Sequence, residues 1–133
     1  MGKNWPVAVG FPEGARLIRT AVDRPDYQDA YAMKLRPGMP RDPAAWTGIL
    51  RDAFPIAAQQ DGEALMEVST AGLDAWASIV VDDEYVTLCS SVQTNALRSR
   101  LYWGVVKRIH PFMARAMMAR THRRLALAAE KAA

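Results

Sequence analysis

The chain reads as a few short stretches of alternating residues followed by one long stretch of helical period. Between Tyr27 and Leu35, the residues Tyr27, Asp29, Tyr31, Met33 and Leu35 fall on one side and Gln28, Ala30, Ala32 and Lys34 on the other. That is the period of a half-buried strand, and Arg36-Pro37-Gly38 ends it. Asp42 before Pro43 marks a helix start, because the carboxylate can accept free first-turn N–H groups and proline loses no helical hydrogen bond there. Trp46, Ile49, Leu50, Ala53 and Phe54 continue it as one apolar stripe, closed by Pro55. Residues 57–63 are polar and read as a loop, and 64–69 as a short strand.

Residues 73–81 and 84–93 predict a hairpin around an Asp82-Asp83 turn. A tight turn sets Ile79 opposite Val86, Ala77 opposite Leu88, Ala75 opposite Ser90 and Leu73 opposite Val92 on the core side. Asp74, Trp76, Ser78 and Val80 then point the other way, as does Cys89; a slip of one residue would exchange the faces of one strand. Between 96 and 129 the period is helical. Leu97, Leu101, Val105, Ile109, Phe112 and Ala116 make the central stripe and Tyr102, Val106 and Met113 one shoulder. Trp103, His110 and Met117 lie along the far edge of the apolar arc, where a pocket mouth or a subunit contact is expected. Pro111 has no N–H for the carbonyl of Lys107, which predicts a kink or a break.

These elements predict one α+β domain over residues 1–133. An irregular segment (1–22) precedes an antiparallel sheet of about four or more strands, with one short helix after the first strand, and the sheet packs on a long C-terminal helix (96–129). Hydrophobic residues at 50% and charged residues at 23% set the chain apart from disordered sequences. A single cysteine, Cys89, has no partner for an internal disulfide and points to a reducing, cytoplasmic setting. Pro6, Gly10 and Pro12 break up the apolar N-terminal run, so it makes a poor signal-peptide core. No stretch approaches the roughly 18 to 20 apolar residues of a spanning helix, which excludes integral membrane association.

Charge is distributed unevenly. Arg98, Arg100, Lys107, Arg108, Arg115, Arg120, Arg123, Arg124 and Lys131 face only Glu130 in the last part of the chain, leaving the remainder net acidic. The basic end is either a solvated helix face or an attractor of nucleic acid, phosphate or anionic lipid.

His110 is the first candidate for chemistry, since an imidazole on a pocket-lining helix edge can act as general acid or base; a structural histidine bonded to a carbonyl beside Pro111 is the alternative. Asp29, among tyrosines and methionine on a strand face, is either a buried acid or base or a carboxylate at a strand edge or bonded to an arginine. Tyr31 and Tyr102 can donate to a ligand oxygen or simply fill the core. Cys89 reads as an inert thiol, Asp74 as a structural or interface residue, Asn95 as a cap of the long helix, and His122 as solvated among arginines. One cysteine and two histidines make no metal set, and no nucleotide-binding loop or nucleophile elbow is present, so neither metal nor cofactor is expected.

The segment Leu101-Tyr102-Trp103-Gly104-Val105-Val106-Lys107-Arg108-Ile109-His110-Pro111-Phe112, continuing to Ala116-Met117-Met118, resembles the C-terminal helix of the bacterial family known as domain of unknown function 2867. Asp26-Tyr27-Gln28-Asp29-Ala30-Tyr31 and the strand beginning Leu73-Asp74 carry the same resemblance. It implies a helix-grip-like fold, in which a curved antiparallel sheet wraps the long helix around a cavity for an apolar or polycyclic ligand, as in polyketide cyclases and lipid-transfer proteins. Catalytic candidates are then His110, Asp29 and Tyr102, and ligand-lining candidates Tyr31, Met33, Trp103, Val106, Met113 and Met117. Cofactor-free cyclisation, isomerisation or dehydration and passive binding are both open. Gly72 departs from the family's frequent histidine, and the stretch from Phe54 to Leu73 is short, so a strand or helix is expected to be absent and a homodimer to complete the core or cover an exposed sheet face. The rival reading is a dimeric interaction module whose basic helix binds nucleic acid, an anionic membrane or a protein.

Overall fold

The computed structural model describes residues 5–50, 55–70 and 73–132. Six strands form one antiparallel sheet in the order β1-β2-β6-β5-β4-β3. They are β1 (Val7–Ala8), β2 (Tyr27–Lys34), β3 (Ile56–Gln60), β4 (Glu63–Thr70), β5 (Leu73–Val81) and β6 (Tyr85–Thr94). A short helix α1 (Arg16–Ala21) lies against one face, while a 3-10 helix (Pro43–Leu50) and the long helix α2 (Leu97–Ala132) lie against the other.

Strand β2 keeps the predicted faces. Tyr31 and Met33 join Trp46, Met66, Ala77, Ile79, Val81, Val86 and Leu88 in the main core under α2, while Ala30 joins Ala15, Ile18, Leu65, Val80 and Cys89 on the α1 side. Trp46 is fully buried and its indole N–H donates to the Pro40 carbonyl at 3.0 Å. Asp42 performs the capping predicted for it, accepting from the Ala44 N–H at 3.0 Å, although the element it starts is a 3-10 helix. Ala53, Phe54 and Gly72 lie outside the described residues.

Several expectations need correction. The segment 1–22 is not wholly irregular, since it carries β1 and α1. Residues 57–63 are not a loop but most of β3, the Asp61-Gly62 turn and the start of β4. Gly62 sits at φ 81°, and a β-carbon there would meet the Val81 carbonyl oxygen at 2.9 Å, so the two-residue turn requires glycine. β3 is a largely exposed edge strand, which leaves no alternation in its sequence to betray it. The six strands of the sheet agree with the expected four or more.

The β5–β6 hairpin is offset by two residues from the predicted pairing, with Ile79 opposite Leu88 and Val81 opposite Val86. The cause is Asp82. Its carboxylate accepts from the N–H groups of Glu84 and Tyr85 at 2.8 and 2.7 Å, so Asp83-Glu84 takes the centre of the turn. An even slip preserves both faces, which is why Ala77, Ile79, Val86 and Leu88 still face α2.

Glu63 is buried on the opposite face, and its carboxylate accepts from the N–H groups of Leu17 and Ile18 at 2.7 and 3.2 Å and from the Ser78 hydroxyl. Helix α1 has no capping side chain of its own, and Glu63 satisfies two first-turn donors from across the sheet.

Helix α2 runs through Pro111 without a break. It is rotated from the predicted orientation. The stripe named as central is the exposed one: Leu97, Leu101, Val105, Ile109 and Phe112 are more than half exposed. Trp103, Ala114, Met118, Thr121, His122 and Ala126 face the protein instead. His122, expected in solvent, is buried against Trp46 with its ring N–H donated from Nε2 to the Lys34 carbonyl at 2.9 Å. That burial lowers its pKa, against the raising effect of the Lys34 bond and with help from the Arg36 charge. Among the described residues no helix is long and apolar enough to cross a membrane.

Candidate acid–base site

Two elements build the site. Strand β2 alternates so that Tyr27, Asp29 and Tyr31 project from one face, and α2 brings Trp103 and His110, seven residues apart, over that face. His110 Nδ1 lies 3.1 Å from Asp29 Oδ2. A carboxylate can only accept, so the imidazole proton sits on Nδ1 and leaves the Nε2 lone pair free to take a proton. The Tyr27 hydroxyl donates to the same Oδ2 at 2.6 Å. Tyr27, Trp103 and His110 then pack edge to face, with ring centroids 5.2 to 5.7 Å apart. The His110 side chain is 24% exposed and that of Asp29 12%, so the pair opens to solvent on the imidazole side.

Burial on its own raises the pKa of Asp29. The hydrogen bonds from His110 and Tyr27, the charge of His110 and the nearby Ser90 hydroxyl outweigh it, and the carboxyl ends below its ordinary value. Tyr27 moves up, through burial first and then its bond and proximity to the Asp29 carboxylate. Tyr31 also moves up, by burial and then the Asp29 charge, with the Arg115 guanidinium 4.6 Å from its ring centre pulling the other way.

Among the described residues, three buried side-chain polar atoms make no hydrogen bond within the chain: Asp29 Oδ1, Trp103 Nε1 and Arg115 Nε. All three belong to the seam between β2 and α2. Buried donors and acceptors are nearly always paired in folded proteins, so three on one seam mark a place where a polar molecule can bond.

Of the residues singled out in the sequence, His110, Asp29, Tyr31 and Trp103 come together here. Tyr102 does not; it is 61% exposed on the outer side of α2 and far from a catalytic setting. Met33 is buried in the main core and Met117 packs against it, so both fill space. Val106 is half-buried and Met113 is on the exposed face. Tyr27 was overlooked as a site residue, although its place two residues before Asp29 on one strand face was visible. The side chain paired with Asp29 is His110 and not an arginine.

The other sequence candidates are structural. Cys89 is buried and its thiol is pushed up to about 12, chiefly by burial, which leaves it protonated and inert. Asp74 accepts from the Ser69 hydroxyl and from Asn95 Nδ2, the latter at 2.9 Å, so these side chains hold the strand end together. No group of three or more metal-ligating side chains occurs among the described residues. On the opposite face of the sheet, a cleft of about 880 Å³ is floored by Ala32, Lys34, Tyr85 and Thr87 and walled by Trp5, Val7 and Val9.

No family model, no curated protein and no solved structure matches this chain.

Proposed function

We propose that the chain binds a small molecule with an apolar body and at least one oxygen acceptor in the seam between β2 and α2, and that His110 exchanges a proton with it. The observation that carries this reading is that Asp29 Oδ1, Trp103 Nε1 and Arg115 Nε, each buried and without a hydrogen bond in the chain, lie along the same seam as the His110–Asp29 pair. Trp103 Nε1–H and Arg115 Nε–H are each donors for an acceptor oxygen, and Asp29 Oδ1 suits a ligand hydroxyl. Asp29 and Tyr27 hold the imidazole with Nε2 turned away from the carboxylate, the orientation of a general base. An isomerisation fits best: the proton taken by Nε2 from one atom returns to another atom of the same molecule, and no cofactor enters the balance.

The test begins with native mass spectrometry of the purified chain, to detect a retained small molecule and extract it. Amide shifts that move at Tyr27, Asp29, Trp103 and His110 on adding it back support the seam. Shifts confined to Ala32, Lys34, Tyr85 and Thr87 transfer the ligand to the cleft on the opposite face, and this second reading has the cleft's size in its favour. A chain that retains nothing and binds no member of a panel of apolar ketones and hydroxyketones refutes both.

A further inference from the structure

The first half of α2 presents an apolar face to the outside. Leu97, Leu101, Val105, Ile109 and Phe112 are 54 to 74% exposed and recur at intervals of three and four, so they form one stripe about 24 Å long. Tyr102 and Met113 widen it. Trp5, from the N-terminal segment, packs on Phe112 with ring centroids 6.1 Å apart and extends the surface beyond the helix. Scattered exposed apolar residues are ordinary, whereas a continuous row on one helix marks an interaction surface.

The charges around the stripe select its occupant. Arg98, Arg100, Lys107 and Arg108 are exposed on the same half of the helix, and no acidic residue occurs between Leu97 and Ala129. A second copy of this helix would set arginine and lysine against arginine and lysine. An anionic occupant gains chiefly from Arg98 and Arg108, which fall within the arc of the stripe. The stripe is also the convex outer side of a helix, and an array of lipid headgroups and acyl chains conforms to such a ridge. Trp5 and Tyr102 at its margins are the residue types that favour the boundary between headgroups and hydrocarbon.

We infer that α2 docks this protein on an anionic lipid surface, with the Leu97–Met113 stripe lying in the interface and Arg98 and Arg108, which fall within its arc, reaching to the headgroups. The docking is peripheral and independent of the proton chemistry proposed for His110.

Flotation of the full chain with vesicles tests it. The chain is expected to float with vesicles of phosphatidylcholine and phosphatidylglycerol, to stay behind with phosphatidylcholine alone, and to be released by raised salt. The Leu101→Ser/Val105→Ser double variant is expected to lose affinity by at least about tenfold, since each substitution removes buried methyl groups from the contact. Arg98→Gln/Arg108→Gln is expected to lose about 25-fold, at roughly fivefold per cation. Ile56→Ser, an exposed apolar position on β3, serves as the control and is expected to float as the parent does. Circular dichroism shows whether each variant is folded. Failure of the folded parent to float with anionic vesicles overturns the inference, as does a soluble dimer that the Leu101→Ser/Val105→Ser variant dissociates, which would give the stripe to a second copy.

Discussion

The two halves of α2 differ in a direction opposite to their composition. The first half holds the larger apolar side chains, Leu97, Leu101, Val105, Ile109 and Phe112, and leaves them in solvent. The second half meets the sheet through Ala114, Met118, Thr121, His122 and Ala126, which are mostly small or polar. Small residues let a helix approach close to what it packs on, and here they bring it over Trp46, Met66, Ile79 and Leu88. Gly38 continues the same close packing, since a β-carbon there would meet the Ala129 β-carbon at 3.1 Å. Among the described residues the first half meets the sheet along the edge occupied by Trp103 and His110, where the contact is aromatic and polar. One half of the helix is therefore a structural element, and the other carries a site on its inner edge and an apolar stripe on its outer one.

Substitutions can break that contrast at its strongest point. Met118→Ala, at a fully buried position, is expected to destabilise the fold by about 2 to 5 kcal/mol in urea titration. A loss below about 1 kcal/mol would place the second half of α2 outside the core. Asp29→Asn comes next. It weakens two hydrogen bonds to a charged acceptor, with an expected cost of about 1.5 to 3 kcal/mol. The same carboxyl supplies a pH test. Its pKa is lowered by folding, so its contribution is complete above the unfolded value of about 4 and is lost as pH falls through the folded one. Thermal melts of the parent should show this acid-side loss, and melts of Asp29→Asn should show less of it.

His122 gives a smaller effect at higher pH. Burial lowers its pKa, so the unfolded chain binds the proton more readily, and stability should decline as pH drops below about 6.5. A His122→Gln chain that keeps the full decline between pH 7 and 5.5 would assign it to another group. The smallest effect belongs to the outer stripe. Leu101→Ser and Val105→Ser should each change stability by no more than about 0.5 kcal/mol, measured by the same urea titration. A large loss there would mean that the stripe is covered when the protein is in solution.

Much of the site was visible in the alternation of β2 and the spacing of seven on α2. Tyr27, Asp29 and Tyr31 share a face because strands have period two, and Trp103 and His110 share an edge because two helical turns bring residues seven apart into line. Their partnership across 81 positions was not visible, because it depends on how α2 is rotated on the sheet. The apolar arc of α2 is wide enough for several rotations, and apolarity pointed to the stripe that is in fact exposed. β3 was missed because an exposed edge strand needs no apolar face.

Local chemistry decided what lies within a few residues: the faces of β2, β5 and β6, the Asp42 cap, the extent of the long helix. Periodicity and turn residues act over those distances. The tertiary structure alone decided the pairing of His110 with Asp29, the capping of α1 by Glu63, the burial of His122 and the exposure of the Leu97–Phe112 stripe. Each of these depends on which side of one element meets another, and close packing of small and polar residues against the sheet settled that choice over the attraction of the larger apolar ones.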